Sequence, residues 1–134
     1  MQPHGDFQVQ RQGAMVICRP SGPFNLDGAR AYEAQFLDVV APLLGQRWGI
    51  VEIASQFEAA GPEVMAHFRS QFDWCQRHGC RFLALVCEGA FKRYMAERIF
   101  ADIPFEAMAH FGDEGTARQW LAHRLSGPWP AAGE

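Results

Sequence analysis

The sequence predicts an α/β fold: one domain with a mixed, mostly parallel five-stranded sheet and four helices, in the order ββαβαβαβα. Short runs rich in β-branched and aromatic residues alternate with longer segments whose apolar residues recur every three or four positions. The run RFLALVC, residues 81–87, is apolar almost throughout, which is typical of a strand covered on both faces by helices. The length of 134 residues suits a single domain.

The first two strands are predicted to form a hairpin. Phe7 and Val9 alternate with glutamines, and Gln12 with Gly13 forms a turn signal before the apolar run AMVIC. Prolines and glycine in 20–23 are expected to end the second strand.

A helix follows, for which Asn25 or Asp27 can provide the N-cap, because a short side-chain oxygen accepts from the free amides of the first turn. Pro42 lacks an amide donor and should end or kink this helix. Its apolar positions are spaced for one buried face: Ala29, Tyr32, Phe36, Val40 and Leu43.

The third strand, WGIVEIAS, is followed by the junction FEAAGPEVM, residues 57–65. Gly61 and Pro62 open a second helix there, since proline is well placed in a first turn. Gly79 closes this helix. Its predicted buried stripe is Val64, Met65, Phe68, Phe72 and Cys75.

A third helix is predicted from about residue 90 to 100, then a fifth strand, FEAMAHF, and a last helix capped by Asp113. Residues 1–6 and 126–134 are predicted to be flexible, which leaves 7–125 as the domain. The inward side chains expected on the third helix are Phe91, Tyr94, Met95 and Phe100. Those of the last helix are Ala117, Trp120, Leu121 and Leu125.

Composition excludes several functional classes. The formal net charge is −3, which argues against nucleic acid, because phosphate contacts need a surplus of Lys and Arg. No apolar run reaches the roughly 20 residues of a membrane helix, and the N-terminus lacks the pattern of a secretory signal. We therefore expect a cytoplasmic protein with no integral membrane segment.

Motifs for metals, cofactors and catalysis are also missing. The 4 cysteines form no CxxC pair and are expected to be buried or half-buried free thiols, and the 5 histidines include no HExxH. No GxGxxG, P-loop or GxSxG pattern occurs. We expect no metal, no cofactor and no enzymatic activity.

Glu52 is the acidic residue that stands inside an apolar strand. If buried, it would have a raised pKa and could act as a general acid or base. The alternative is an ion pair, for which Arg19, Arg47 and Arg81 are candidate partners.

Three stretches resemble a known family. IVEIASQFEAAGPEVMAHF, RFLALVCEGAFKRYMAERIFADIPF and FEAMAHFGDEGTARQWL are similar in order and spacing to segments of STAS domains. This is the fold of anti-sigma-factor antagonists and of the cytoplasmic tails of sulfate transporters. The resemblance covers residues 7–125 and is greatest to the stand-alone, SpoIIAA-like bacterial branch.

The resemblance implies a regulatory interaction module without its switch. Regulatory members carry a Ser or Thr after an Asp at the start of the second helix, and a kinase phosphorylates it. Here Ala59 or Ala60 occupies that place, with Glu58 as the acidic residue. Alanine cannot be phosphorylated. The free amides at the helix start near Gly61 suit an anion, but we expect Glu58 or Glu63 to cap them instead.

Three functions remain open. The first is a non-enzymatic module with a protein partner or self-association. The second is a module that binds a small apolar or amphipathic ligand, and an enzyme is the third. Phe72 and Trp74 diverge by about 200° around a helix, so one of them should meet solvent, a partner or a ligand. The candidate contact residues are Glu58, Ala59, Ala60, Gly61, Glu63, His67, Trp74, Lys92 and Arg93.

Overall fold

The computed structural model describes residues 2–127 and confirms the α/β fold. Its elements are β1 (Val9–Gln12), β2 (Met15–Cys18), β3 (Ser21–Phe24), α1 (Leu26–Val40), β4 (Trp48–Ile53), β5 (Gln56–Ala60), α2 (Pro62–Arg77), β6 (Cys80–Val86), α3 (Ala90–Phe100), β7 (Ala107–Phe111) and α4 (Glu114–Ser126).

The main sheet has five strands in the order β1-β2-β4-β6-β7. β1 and β2 form the predicted antiparallel hairpin, and the other neighbours pair in parallel. In this order β6 lies between β4 and β7. All parallel strands therefore end at one edge of the sheet, which we call the carboxyl edge.

Two strands were not predicted. The segment 20–23 was expected to end a strand, and 57–60 to be part of a junction, but β3 and β5 pair in parallel as a separate two-stranded sheet. β3 follows β2 in sequence and β5 follows β4. Because β2 and β4 are parallel neighbours in the sheet, the two segments leave its carboxyl edge in the same direction. The pairing is irregular between Gly22 and Phe24, where Pro23 has no amide to donate.

Helices cover the sheet on both faces. Side chains alternate along β2, so that Val16 and Cys18 join the core under α1, α2 and α3, whereas Met15 and Ile17 join a second core. Ala117 and Leu121 of α4 complete this second core. β6 is buried on both faces, as its apolar sequence predicts.

The predicted N-caps of α1 and α4 are confirmed, and so is the predicted end of α1. The Asn25 side chain accepts from the Gly28 amide at 2.8 Å, and Asp113 accepts from the Thr116 amide at 2.8 Å. α1 ends at Val40, and a short 3-10 turn containing Pro42 follows. Side-chain oxygens thus satisfy the free amides at both helix starts.

The prediction for α3 was partly wrong. Met95 and Phe100 are buried together with Ala96 and Ile99, but Phe91 and Tyr94 are exposed. Phe91 lies in the first turn of the helix, and Tyr94 is rotated by about 100° from Met95 around the axis.

No helix among residues 2–127 is long and apolar enough to cross a membrane. The segment 128–134, most of the tail predicted to be flexible, lies outside the described residues. The domain bounds therefore remain a prediction.

Candidate functional site

The carboxyl edge collects most of the candidate residues. Glu58 and Ala59 are exposed at the end of β5, Ala60 is half-buried, and Gly61 and Glu63 are exposed at the start of α2. α3 packs against α2, and its Lys92 ammonium donates to the Ser55 carbonyl in the turn between β4 and β5, so the first turn of α3 lies at the same edge. Arg93 is exposed on the same turn. We call this the carboxyl-edge surface: residues 58–63 with 91–94.

The start of α2 carries no side-chain cap within the described residues. Gly61 is the N-cap, with φ −70° and ψ 171°, and its carbonyl accepts from the amides of Val64 and Met65. The expected cap by Glu58 or Glu63 is therefore not formed. A β-carbon at Gly61 would meet no atom within 4 Å, so this end of the helix is open to an approaching group.

Two aromatic rings extend this surface. Phe91 is 62% exposed and Tyr94 55% exposed, the largest values among the exposed large hydrophobic residues of the described chain. Lys92 and Arg93 lie between them in sequence. Aromatic residues and arginine are enriched at protein interfaces, whereas lysine is depleted there.

The other two candidates lie elsewhere. His67 is half-buried between α1 and α2, with Nε2 3.5 Å from Glu33 Oε2. Trp74 is half-buried near the far end of α2 and stacks on His78 at 4.2 Å between ring centroids. Phe72 is the member of the Phe72–Trp74 pair that faces the core. The sequence places His67 and Trp74 on the same helix as Glu63, but the tertiary structure shows that both lie away from the carboxyl edge.

Glu52 is buried, with 5% exposure, and the expected arginine partner is absent from the described contacts. Instead the hydroxyl of Tyr32, a residue that is 1% exposed, lies 2.9 Å from one carboxyl oxygen and 3.1 Å from the other. Burial raises the pKa of Glu52 to about 8, and hydrogen bonds from Tyr32 and Cys18 partly offset this effect. The carboxyl is therefore mostly protonated at neutral pH.

The Glu52 side chain lines a cavity between α2, α3 and strands β4 and β6, with a volume of about 40 Å³. This is several times the space that one water molecule needs. Its lining is largely apolar: Pro20, Tyr32, Glu52, Ala54, Phe57, Phe68, Phe72, Leu85, Cys87, Lys92, Met95, Ala96, Ile99 and Phe100. The sequence singled out Glu52 and left an apolar ligand open as an alternative, but it did not place Glu52 at such a cavity.

The cysteines are all buried and free, as predicted. Burial raises the pKa of Cys18, Cys75 and Cys80, which disfavours the reactive thiolate form. Among residues 2–127 no group of three or more His, Cys, Asp or Glu side chains is placed to hold a metal ion.

Comparisons with known proteins give structural neighbours only. No family model matches the sequence, and no curated protein matches it. An uncharacterized protein from the DUF3478 family with a SpoIIAA-like fold, from Shewanella loihica PV-4, superimposes with a TM-score of 0.67 at 10% identity. The match covers 90% of this chain and 96% of that one.

A second neighbour is an anti-sigma factor antagonist from Mycobacterium paratuberculosis. Its TM-score is 0.64 at 15% identity, with 89% of this chain and 95% of that chain covered. Identities this low establish the fold and not the activity. Together with the strand order and helix layers, they show that this chain has a SpoIIAA-like fold.

Proposed function

We propose that this protein is a non-enzymatic regulatory module that works through protein contacts at the carboxyl-edge surface. The observation that carries the proposal is the exposed pair Phe91 and Tyr94 in the first turns of α3, at the edge where α2 also begins. Apolar rings are exposed to water at a cost, which burial against a partner removes. The anti-sigma factor antagonist fold of one neighbour is consistent with this role.

The module would act without phosphorylation. In STAS domains of the regulatory type, the switch residue lies at the start of the second helix, and its phosphate adds charge and bulk to a docking surface. Ala59 and Ala60 occupy that region here and carry no hydroxyl. Binding would then be set by the concentration and state of the partner.

The charges of this surface indicate what the partner offers. Glu58 and Glu63 are acidic, whereas Lys92 and Arg93 are basic, so the charges of the surface balance and it has no net charge. A partner face that places an apolar patch over the two rings and mixed charges around it would be complementary. Such a face could belong to another protein or to a second copy of this chain.

The test is site-specific photo-crosslinking in the native host, with p-benzoylphenylalanine in place of Phe91. Leu44 is the matched control, because it is 40% exposed but lies before β4, at the opposite edge of the sheet. We expect a crosslinked product from position 91 and none from position 44. The captured protein, once purified, should bind the wild-type chain at least tenfold more tightly than the double variant Phe91→Ser, Tyr94→Ser.

A product containing two copies of this chain would support self-association. Equal crosslinking at positions 91 and 44, or binding unchanged in the double variant, would refute the proposed surface. Thermal unfolding of the double variant should match the wild type, since both rings are exposed.

Binding of a small apolar or amphipathic ligand is a second candidate function. It is favoured by the cavity under α3, which is lined by apolar side chains and contains the buried carboxyl of Glu52. Ligand sites commonly combine an apolar lining with a few polar groups that fix orientation.

A further inference from the structure

The cavity under α3 combines a buried carboxyl with an apolar enclosure, and the fold does not need that combination. Glu52 occupies a position in β4 whose neighbour on β6, by register, is Leu85. An apolar side chain would fill the same place without the cost of removing a carboxyl from water. The carboxyl is thus a feature that stability alone does not explain.

The hydrogen-bonding capacity of Glu52 is incompletely used by the protein. The Tyr32 hydroxyl and the Cys18 thiol each have one proton to donate, so together they satisfy two of the roughly four acceptor sites of the carboxylate. The remaining acceptor sites adjoin the cavity that Glu52 lines. In its neutral form the carboxyl also carries a proton that it can donate.

We infer that this cavity binds a small neutral amphiphile, an apolar chain bearing a hydroxyl group, with the hydroxyl on Glu52 and the chain between α2 and α3. The inference rests on the second candidate function and names its ligand class. A hydroxyl both donates and accepts one hydrogen bond, so it pairs with the carboxyl in either protonation state.

Charged head groups fit this site less well. An ion pair with an ammonium group would require Glu52 to ionise in an apolar environment, and a carboxylate head would have to lose its own hydration there. The other charged group of the lining, Lys92, is half-exposed and already donates to the Ser55 carbonyl. A carboxylate head would therefore have to bind at the rim, with its chain against the buried carboxyl.

The size of the cavity limits how much of a ligand it can hold before its lining side chains move. Its 40 Å³ admit the hydroxyl and the beginning of a chain, and longer chains need displacement of lining side chains. Met95 lines the cavity and is unbranched and flexible, so it can adapt to the rest of the chain.

The test is a titration of the whole chain, followed by amide chemical shifts, with four six-carbon or size-matched probes: 1-hexanol, 1-methoxypentane, hexanoate and hexylammonium. 1-Methoxypentane keeps the oxygen but cannot donate. We expect 1-hexanol to shift amides of cavity residues such as Ala54 and Ala96, and to bind at least tenfold more tightly than the other three.

Variants locate the polar contact. Glu52→Gln keeps a donor and an acceptor and should bind 1-hexanol within about threefold of the wild type, whereas Glu52→Leu should reduce the preference over 1-methoxypentane to below threefold. Ile53→Leu is the control, because Ile53 is the next residue on β4 and packs with the core on the other face. It should leave the ranking unchanged.

The outcomes separate the inference from the function on which it rests. If all probes bind equally, or if hexanoate binds best, the cavity binds ligands but the role of Glu52 is refuted. If no probe shifts the cavity amides at 20-fold molar excess and millimolar concentration, both are refuted. The ranking on the wild-type chain decides the matter even if Glu52→Leu does not fold.

Discussion

Replacing Glu52 by glutamine should remove a large pH dependence of stability. In the folded chain, burial raises the pKa of Glu52 from its ordinary value of 4.5 to about 8. Between these values the folded state retains a proton that the unfolded state has released. The stability contributed by this group is therefore fully present below pH 4.5 and is lost progressively as the pH rises to about 8.

The size of the effect follows from the shift. One pH unit corresponds to about 1.4 kcal/mol for a single proton. Raising the pH from 4.5 to 8 should therefore lower the unfolding free energy by on the order of 5 kcal/mol, of which roughly 3 kcal/mol is already lost at pH 7. Glutamine carries no charge to bury and can still accept from the Tyr32 hydroxyl. Its extra amide donor, if unpaired, costs about 1 to 3 kcal/mol at every pH and therefore does not change the slope.

The assay is urea unfolding of both proteins at pH 5, 6, 7 and 8. The difference in unfolding free energy, Glu52→Gln minus wild type, should increase by about 1.4 kcal/mol per pH unit in this window. Taking the difference cancels the titration of all other groups that behave alike in the two chains. Glu58→Gln, at an exposed position, controls for the loss of one acidic side chain.

A difference that stays constant from pH 5 to 8 would refute the reasoning. It would mean that the Glu52 carboxyl is ionised in the folded chain, solvated by water that enters the cavity, and that its burial costs far less than the geometry implies.

Three further predictions concern the fold and the proposed absence of a phosphorylation switch. Phe82→Ala or Leu85→Ala should each lower the unfolding free energy by roughly 3 to 5 kcal/mol in urea denaturation, because both side chains are 1% exposed on the doubly covered strand β6; a cost below about 1 kcal/mol would contradict that placement. Asn25→Ala should cost about 1 to 2 kcal/mol in the same assay, since the Asn25 oxygen accepts from the amides of both Gly28 and His4; no measurable cost would show that water replaces the cap. Mass spectrometry of the chain from its own cells should find no phosphate on residues 55–65, and phosphate on Ser55 would overturn the claim that the switch is absent.

Local signals predicted the elements that depend on near neighbours in the chain. The hairpin at Gln12-Gly13, the cap at Asn25 and the helix stop at Pro42 rest on backbone geometry within a few residues, and each is confirmed. The continuous apolar run of 81–87 correctly predicted a strand buried on both faces. These features need no knowledge of what lies across the fold.

Tertiary context decided where the predictions were wrong. The β3–β5 pair joins segments some 35 residues apart, and neither has an apolar alternation that distinguishes it from a loop. Phe91 has the spacing of a core residue relative to Met95, yet it lies in a first turn at the end of the sheet, where no layer covers it. Periodicity gives the direction of a side chain around its helix but not whether another element lies there.

The sequence by itself determined the fold class, the layering of helices on a mostly parallel sheet, and the absence of a hydroxyl at Ala59 and Ala60. Only the tertiary structure brought the start of α3 together with the turn between β4 and β5, and placed Tyr32 beside Glu52 at a cavity between helices and sheet. The physical reason is range: propensity, capping and periodicity act over a few residues, whereas a surface or a cavity is formed by side chains that are distant in sequence and meet only when the layers pack.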